Sequence, residues 1–112
     1  MTNKDLVQAI IRLRETVVAI LDAMQKGSLS GRRKVFNKAK SNLRAIQRTL
    51  RKLSNRFKMR GGSFDWIDKA FKALKCAVNR QTEVARSLAQ EVLNKTAHII
   101  NQSRHKRFVH NH

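Results

Sequence analysis

Residues 32–58 read RRKVFNKAKSNLRAIQRTLRKLSNRFK. Within them Phe36, Ala39, Leu43, Ile46, Leu50, Leu53 and Phe57 recur at steps of three and four without a fault. That period places the apolar side chains on one face of an α-helix, whereas a strand would alternate them. The remainder of the segment is basic. No acid occurs between Asp22 and Asp65, and twelve Lys and Arg fall from Arg32 to Arg60. A solvated helix normally pairs opposite charges at i,i+4. Here like charges face each other, which destabilises the helix unless an anionic partner is bound.

At about 100° per residue, Arg33, Lys40, Arg44 and Arg51 fall within about 40° of one another. Asn37, Arg48 and Asn55 lie at the edge of the same strip. The strip is about 120° from the apolar stripe, so it faces outward while the other flank fills a core. Lys34, Lys38, Lys52 and Arg56 form a second basic row behind it. The predicted result is a positive rod about 40 Å long at ~1.5 Å per residue. Its cations suit a line of backbone phosphates, and the Asn side chains between them can donate to phosphate oxygens or 2′-hydroxyls. The strip holds no aromatic residue, so base stacking on a single strand is not provided for. A long helix lying across phosphates reads shape, and A-form duplexes are recognised in that way. Duplex RNA is the expected ligand, and duplex DNA is the alternative left open by charge alone.

Moving outward, the first helix is expected over about residues 3–26. Thr2 is placed to cap it, with Asp5 in its first turn. Leu6, Ile10, Leu13, Val17, Ile20 and Met24 mark its core stripe, widened by Val7, Ile11, Val18 and Leu21. Gln8, Arg12, Glu15 and Asp22 form the solvated side. Gly27-Ser28-Leu29-Ser30-Gly31 interrupts the pattern, with Gly27 as a stop and Ser30 as the next cap. So short a turn implies an antiparallel helical hairpin. The second helix, 32–58, ends at Arg60-Gly61-Gly62-Ser63. A third helical region is expected over 64–103, with Asp65 and Asp68 at its positive end. Phe64, Ile67, Phe71, Leu74 and Val78 mark its stripe, continued less strongly by Ala85, Leu88, Val92 and Ile99. The polar stretch Asn79-Arg80-Gln81-Thr82-Glu83 is either an exposed part of one long helix or the joint between two shorter ones; with no Gly or Pro in it, one helix, bent if anything, is the preferred reading. Residues 104–112 read as a basic, His-rich disordered tail. Residues 1–103 thus form a single all-α domain, a hairpin plus a third helical region, with the core completed as a dimeric four-helix bundle.

The composition agrees with a polyanion-binding protein. The chain has 112 residues, 25 Lys and Arg against 7 Asp and Glu, and a formal net charge of +18. Solubility needs far less charge and usually mixes the signs. The absence of Pro and Tyr and the scarcity of Gly favour helices over strands. Cys76 is the sole cysteine, which excludes an intrachain disulfide and fits a reducing compartment, the cytoplasm. The first residues lack signal-peptide character, and no apolar run approaches the ~18 residues of a membrane span. A membrane-surface amphipathic protein remains a third functional class, since both hairpin helices have wide apolar faces.

An amphipathic first helix, a short turn and a long basic second helix together resemble the nodavirus RNA-silencing suppressor family. The resemblance covers about Asp5 to Arg60. Arg33, Arg44 and Arg51, eleven and seven residues apart, are spaced similarly to the RNA-contacting bases of that family's second helix. Membership would imply an antiparallel homodimer, sequence-independent binding of double-stranded RNA in the host cytoplasm, protection of that RNA from Dicer, and a block on small-RNA loading.

Other chemistry is not provided for. His98, His105, His110 and His112 do not make the fixed set of about four ligands that a structural metal needs. Cys76, despite Lys72 and Lys75 nearby, reads as a half-buried structural thiol. Trp66 and Phe71 read as core or interface packing. Asp65 and Asp68 are explained by their place in a helix's first turn. With no phosphate-cradling glycine loop and no nucleophile–base set, neither an enzyme, a cofactor nor a small-molecule substrate is expected.

Overall fold

The computed structural model describes the backbone of residues 3–26, 29–57 and 65–110, and the side chains of 4–26, 31–52 and 65–101. All elements in these residues are helices: α1 (Asn3–Gln25), α2 (Leu29–Phe57), α3 (Asp65–Val78) and α4 (Thr82–His110). The molecule is elongated, 51 × 26 × 21 Å. α1 packs on α2 and on α4, and α3 packs on α2 and on α4, so the four make a bundle-like ring. Seven residues separate α2 from α3.

The expected stripes of α1 and α2 meet inside the ring. Ile10, Leu13, Val17 and Leu43 have no exposure at all, and Ile20, Ala39, Ile46 and Leu50 are also buried. Leu6, Met24 and Phe36 pack against this core from its edge. The remaining stripe residues of α2, Leu53 and Phe57, lie beyond the described side chains. Of the residues expected to widen α1's stripe, Val18 is instead exposed. The sequence reading has the core completed by a second chain. In the structure α3 and α4 of the same chain cover the α1 and α2 stripes.

α3 buries a different arc from the one its bulky residues mark. Trp66, Ala70, Ala73 and Ala77 join Ile67 and Leu74 inside, while Phe71 is half-buried and Val78 exposed. Facing them on α4 are Ala85, Ala89 and Val92. Alanines at i,i+3 and i,i+4 let two helices approach closely, and they carry no intrinsic penalty in a helix. Two ion pairs fix the register: Lys69 Nζ lies 2.9 Å from Glu91 and Lys95 Nζ lies 3.4 Å from Asp65. Each pair is symmetric about residue 80, as antiparallel packing requires.

Of the two readings of this region, the structure has the joint between two helices, not the preferred single helix over 64–103. The chain reverses at Asn79-Arg80-Gln81, although none of these is Gly or Pro. Gln81 N–H donates to Cys76 C=O at 2.8 Å and Arg80 N–H to Ala77 C=O at 3.2 Å. This is the Schellman arrangement, which satisfies the last carbonyls of α3. It needs a left-handed residue, and Arg80 supplies it at φ 63°. A side chain in that region costs roughly 1 kcal/mol, and the closure of the alanine-lined seam offsets it. Three boundaries also shift. α2 begins at Leu29 rather than Arg32, so Ser30 is inside its first turn rather than at its cap. Glycine is compatible with helical φ, so Gly31 does not delay the start. At the other end α2 stops at Phe57 rather than Lys58. α4 continues to His110, through the segment expected to be a disordered tail. Nothing in its residues breaks a helix. Thr2, Gly27 and Ser63, expected at helix ends, lie outside the described residues.

One polar group crosses the bundle. The Arg14 guanidinium donates to the Leu93 carbonyl and to Thr96 Oγ1, the latter at 2.8 Å. Thr96, fully buried, donates in turn to the Val92 carbonyl at 2.7 Å.

Replacing Arg80 by Gly removes the left-handed penalty. Arg80→Gly is expected to stabilise the fold by about 1 kcal/mol and raise Tm by about 4 °C, measured by thermal denaturation. The α3–α4 pair gives a second check. Hydrogen bonding to Lys69, then the charge of Lys69, holds the Glu91 carboxyl below its ordinary value. A depressed carboxylate contributes stability above its unfolded pKa and loses it as pH falls through the folded value. Glu91→Gln should therefore melt below the wild type at neutral pH, and the difference should vanish in acid below the carboxylate range.

Candidate nucleic-acid interface

α2 carries every described residue of the predicted interface on its solvent side. Arg33, Asn37, Lys40, Arg44, Arg48 and Arg51 are exposed, as are Lys34, Lys38 and Lys52. Asn55 and Arg56 belong to the last turns of α2, but their side chains lie outside the described residues. The positions follow from the burial of Ala39, Leu43, Ile46 and Leu50. With that stripe sealed, rotation about the helix leaves the basic arc no surface but the outer one.

Among the described residues the ion pairs are Lys26–Asp22, Lys69–Glu91 and Lys95–Asp65. None involves α2. Arg33, Lys34, Lys38, Lys40, Arg44, Arg48, Arg51 and Lys52 also make no described hydrogen bond. The nearest exception is Arg32, half-buried, whose Nε donates to the Lys26 carbonyl at 3.5 Å and ties the start of α2 to the end of α1. Eight cations thus stand along one helix with no carboxylate neutralising them.

The two basic rows have different surroundings. Lys38 lines an open groove of about 750 Å³ between α1 and α2, together with Asp5, Arg12 and Glu15. The row of Lys34, Lys38 and Lys52 therefore borders the α1 side, where acids are present. The strip of Arg33, Lys40, Arg44 and Arg51 lies on the other flank, toward α3. It is the stronger anion surface, and Lys38 is the member with the most mixed surroundings. Asn37 lies beside this strip on an exposed turn, free to donate to a phosphate oxygen.

The remaining sequence candidates take structural places. Trp66 is buried, 2% exposed, and Phe71 packs against the core. Cys76 is half-buried beside it. Asp65 and Asp68 occupy the first turn of α3, and Asp65 pairs with Lys95. His98 is exposed, while His105, His110 and His112 fall outside the described side chains. Among the described residues no group of three or more His, Cys, Asp and Glu is placed to hold a metal ion. Among them, too, no helix is long and apolar enough to cross a membrane.

Comparisons of the chain with family models, curated proteins and solved structures give no match.

Unneutralised like charges on α2 repel, and salt screens that repulsion over a Debye length of about 10 Å at 0.1 M. The free protein's Tm should therefore rise as NaCl is increased from low to physiological strength. A Tm that falls over this range would mean that ion pairs, not repulsion, dominate the surface.

Proposed function

We propose that the protein binds double-stranded RNA independently of sequence through the outer face of α2. The observation that carries this reading is the row of eight exposed cations without a carboxylate partner, on a helix whose opposite flank is buried. Such a row matches phosphate spacing along a backbone and carries no group suited to reading base edges. The absence of an aromatic from the strip favours a duplex over a stacked single strand. α2, about 43 Å long, is long enough to lie along a duplex rather than touch it at one point.

The resemblance of α1, the turn and α2 to the nodavirus suppressors extends the proposal to biology. In that reading the protein is a viral suppressor of RNA silencing in the host cytoplasm, covering duplex RNA against Dicer and against small-RNA loading. A homodimer belongs to the same proposal. Since α3 and α4 already cover Ile10, Leu13, Val17 and Leu43, a second copy has to join on other surfaces than that stripe.

Gel-shift titrations with duplex RNA, duplex DNA and single-stranded RNA at two salt concentrations test the reading. Duplex RNA of any sequence should bind most tightly, with log K falling steeply with log salt. Arg44→Ala with Arg51→Ala should weaken duplex binding by about tenfold or more, while Tm stays near that of the wild type because both residues are exposed and unpaired. Preference for duplex DNA would instead assign the face to a DNA-compacting protein. An unimpaired double variant would reject the site.

A further inference from the structure

α1 carries apolar side chains on two arcs. One is sealed in the core, and the other lies beside it on the flank that meets α4. Arg14 marks that flank, because its guanidinium reaches the Leu93 carbonyl and Thr96 of α4. At about 100° per residue, Val7, Val18 and Ile11 follow Arg14 around the helix at about 20°, 40° and 60°. Val7 and Ile11 are half-buried, Val18 is 52% exposed, and all three lie outside the core cluster. On α4, Leu93, Ala97 and Ile100 share the side that receives Arg14, and each is half-buried. Single exposed aliphatics need no explanation, but a run of them along one helix seam marks an interaction surface.

The charges around this seam say what fits it. Lys4 and Asp22 are both exposed. They are 18 residues apart, so they stand on one line of α1, about 20° beyond Ile11 and about 27 Å from each other. A two-fold axis midway between them sets two α1 helices antiparallel and places Lys4 of each copy opposite Asp22 of the other. The same axis brings Val7 of each copy to the level of Val18 of the other, with both Ile11 side chains close to the axis. The line is thus self-complementary in charge and in apolar groups, as an isologous contact requires. Asp22, which Lys26 of its own chain approaches at 3.3 Å, accepts Lys4 as a second partner. Net charge points the same way. Two copies at +18 each repel, but on α1 Lys4, Arg12 and Arg14 are balanced by Asp5, Glu15 and Asp22. Glu15 and Asp22 border the apolar run, which disfavours an anionic membrane as its cover. With axes 8–10 Å apart, α1 and α4 present a face of about 34 Å by 20 Å, roughly 700 Å². That is close to the ~800 Å² per partner of a stable interface.

We propose that a second copy of this chain docks on the outer seam of α1 and α4, antiparallel to the first, with Val18 packed at the contact and Lys4–Asp22 pairs closing both ends. This rests on the homodimer of the proposed function and names its surface. α2 packs on α1 and α3 of its own chain, and the seam lies on the other flank of α1. Docking there leaves the cationic face of α2 open in both copies.

Sedimentation velocity on the full-length protein without RNA, over a concentration series, tests the surface. Val18→Glu should raise the dimer Kd by about tenfold or more, with helical circular dichroism unchanged because Val18 is exposed in the single chain. Lys4→Asp and Asp22→Lys should each raise Kd about tenfold, since each turns two attractive pairs into repulsive ones. Both changes suit the helix dipole, so neither threatens the fold. Combined in one chain they restore opposite charges at both ends, and Kd should return toward that of the wild type. A dimer that persists unchanged through Val18→Glu and both reversals refutes this surface and leaves the homodimer standing elsewhere. A double reversal that stays as dissociated as the singles refutes the antiparallel pairing. A wild-type protein that is monomeric throughout, including one that floats instead with phosphatidylcholine–phosphatidylserine vesicles, removes the homodimer and this inference together, while RNA binding by α2 is judged separately by the gel shifts.

Discussion

Burial of the apolar stripe of α2 is the contact on which the rest of the molecule depends. Leu43, Ile46 and Leu50 are each at or below 4% exposure. Sealing three such side chains stabilises by about 5–9 kcal/mol in all. Against this stand the like-charge neighbours along the helix, Lys34–Lys38, Lys40–Arg44, Arg44–Arg48 and Arg48–Lys52. At i,i+4 spacing each opposes helix formation by about 0.2–0.5 kcal/mol. The hydrophobic term is several times larger, so α2 keeps its form with its cations unneutralised. An isolated peptide of this sequence has no such support. The bundle is thus the means by which a self-repelling helix is held ready for an anion.

The same balance explains how the four helices share the work. α1 supplies Ile10, Leu13, Val17 and Ile20 to one wall of the core. α3 and α4 close the other wall with small residues and a buried Trp66. Acids lie mainly on the outer helices. Asp65 and Glu91 serve the α3–α4 seam, Asp5 and Glu15 the α1 groove, and no described ion pair reaches Arg33, Lys40, Arg44 or Arg51. Charge segregation of this kind adds little to stability. It shapes the field that a polyanion meets on approach.

Much of this was legible in the residues. The fault-free period of α2 and the strong period of α1 are visible because both helices bury large side chains on one face only. The outward placement of Arg33, Lys40, Arg44 and Arg51 follows from that period by rotation alone. α3 was harder. Its inner face is built from Ala70, Ala73 and Ala77, which look neutral in a sequence, while Val78 is bulky and exposed. The reversal at Arg80 was hidden for a related reason. Residues that favour the left-handed region are its usual signal, and an arginine there is an exception maintained by tertiary packing.

The link from Arg14 to Leu93 and Thr96 gives the bundle a single alignment. A guanidinium that crosses from α1 to α4 meets its acceptors at one alignment only. If α1 slipped one turn along α4, Arg14 would lose both acceptors in a half-dry setting, and Thr96 would lose its donor. A misaligned polar group in such a place is penalised by about 1–3 kcal/mol, enough to make the native alignment dominate. Since α1 is also tied to the beginning of α2, this one side chain helps determine how far the cationic face projects along the long axis of the molecule.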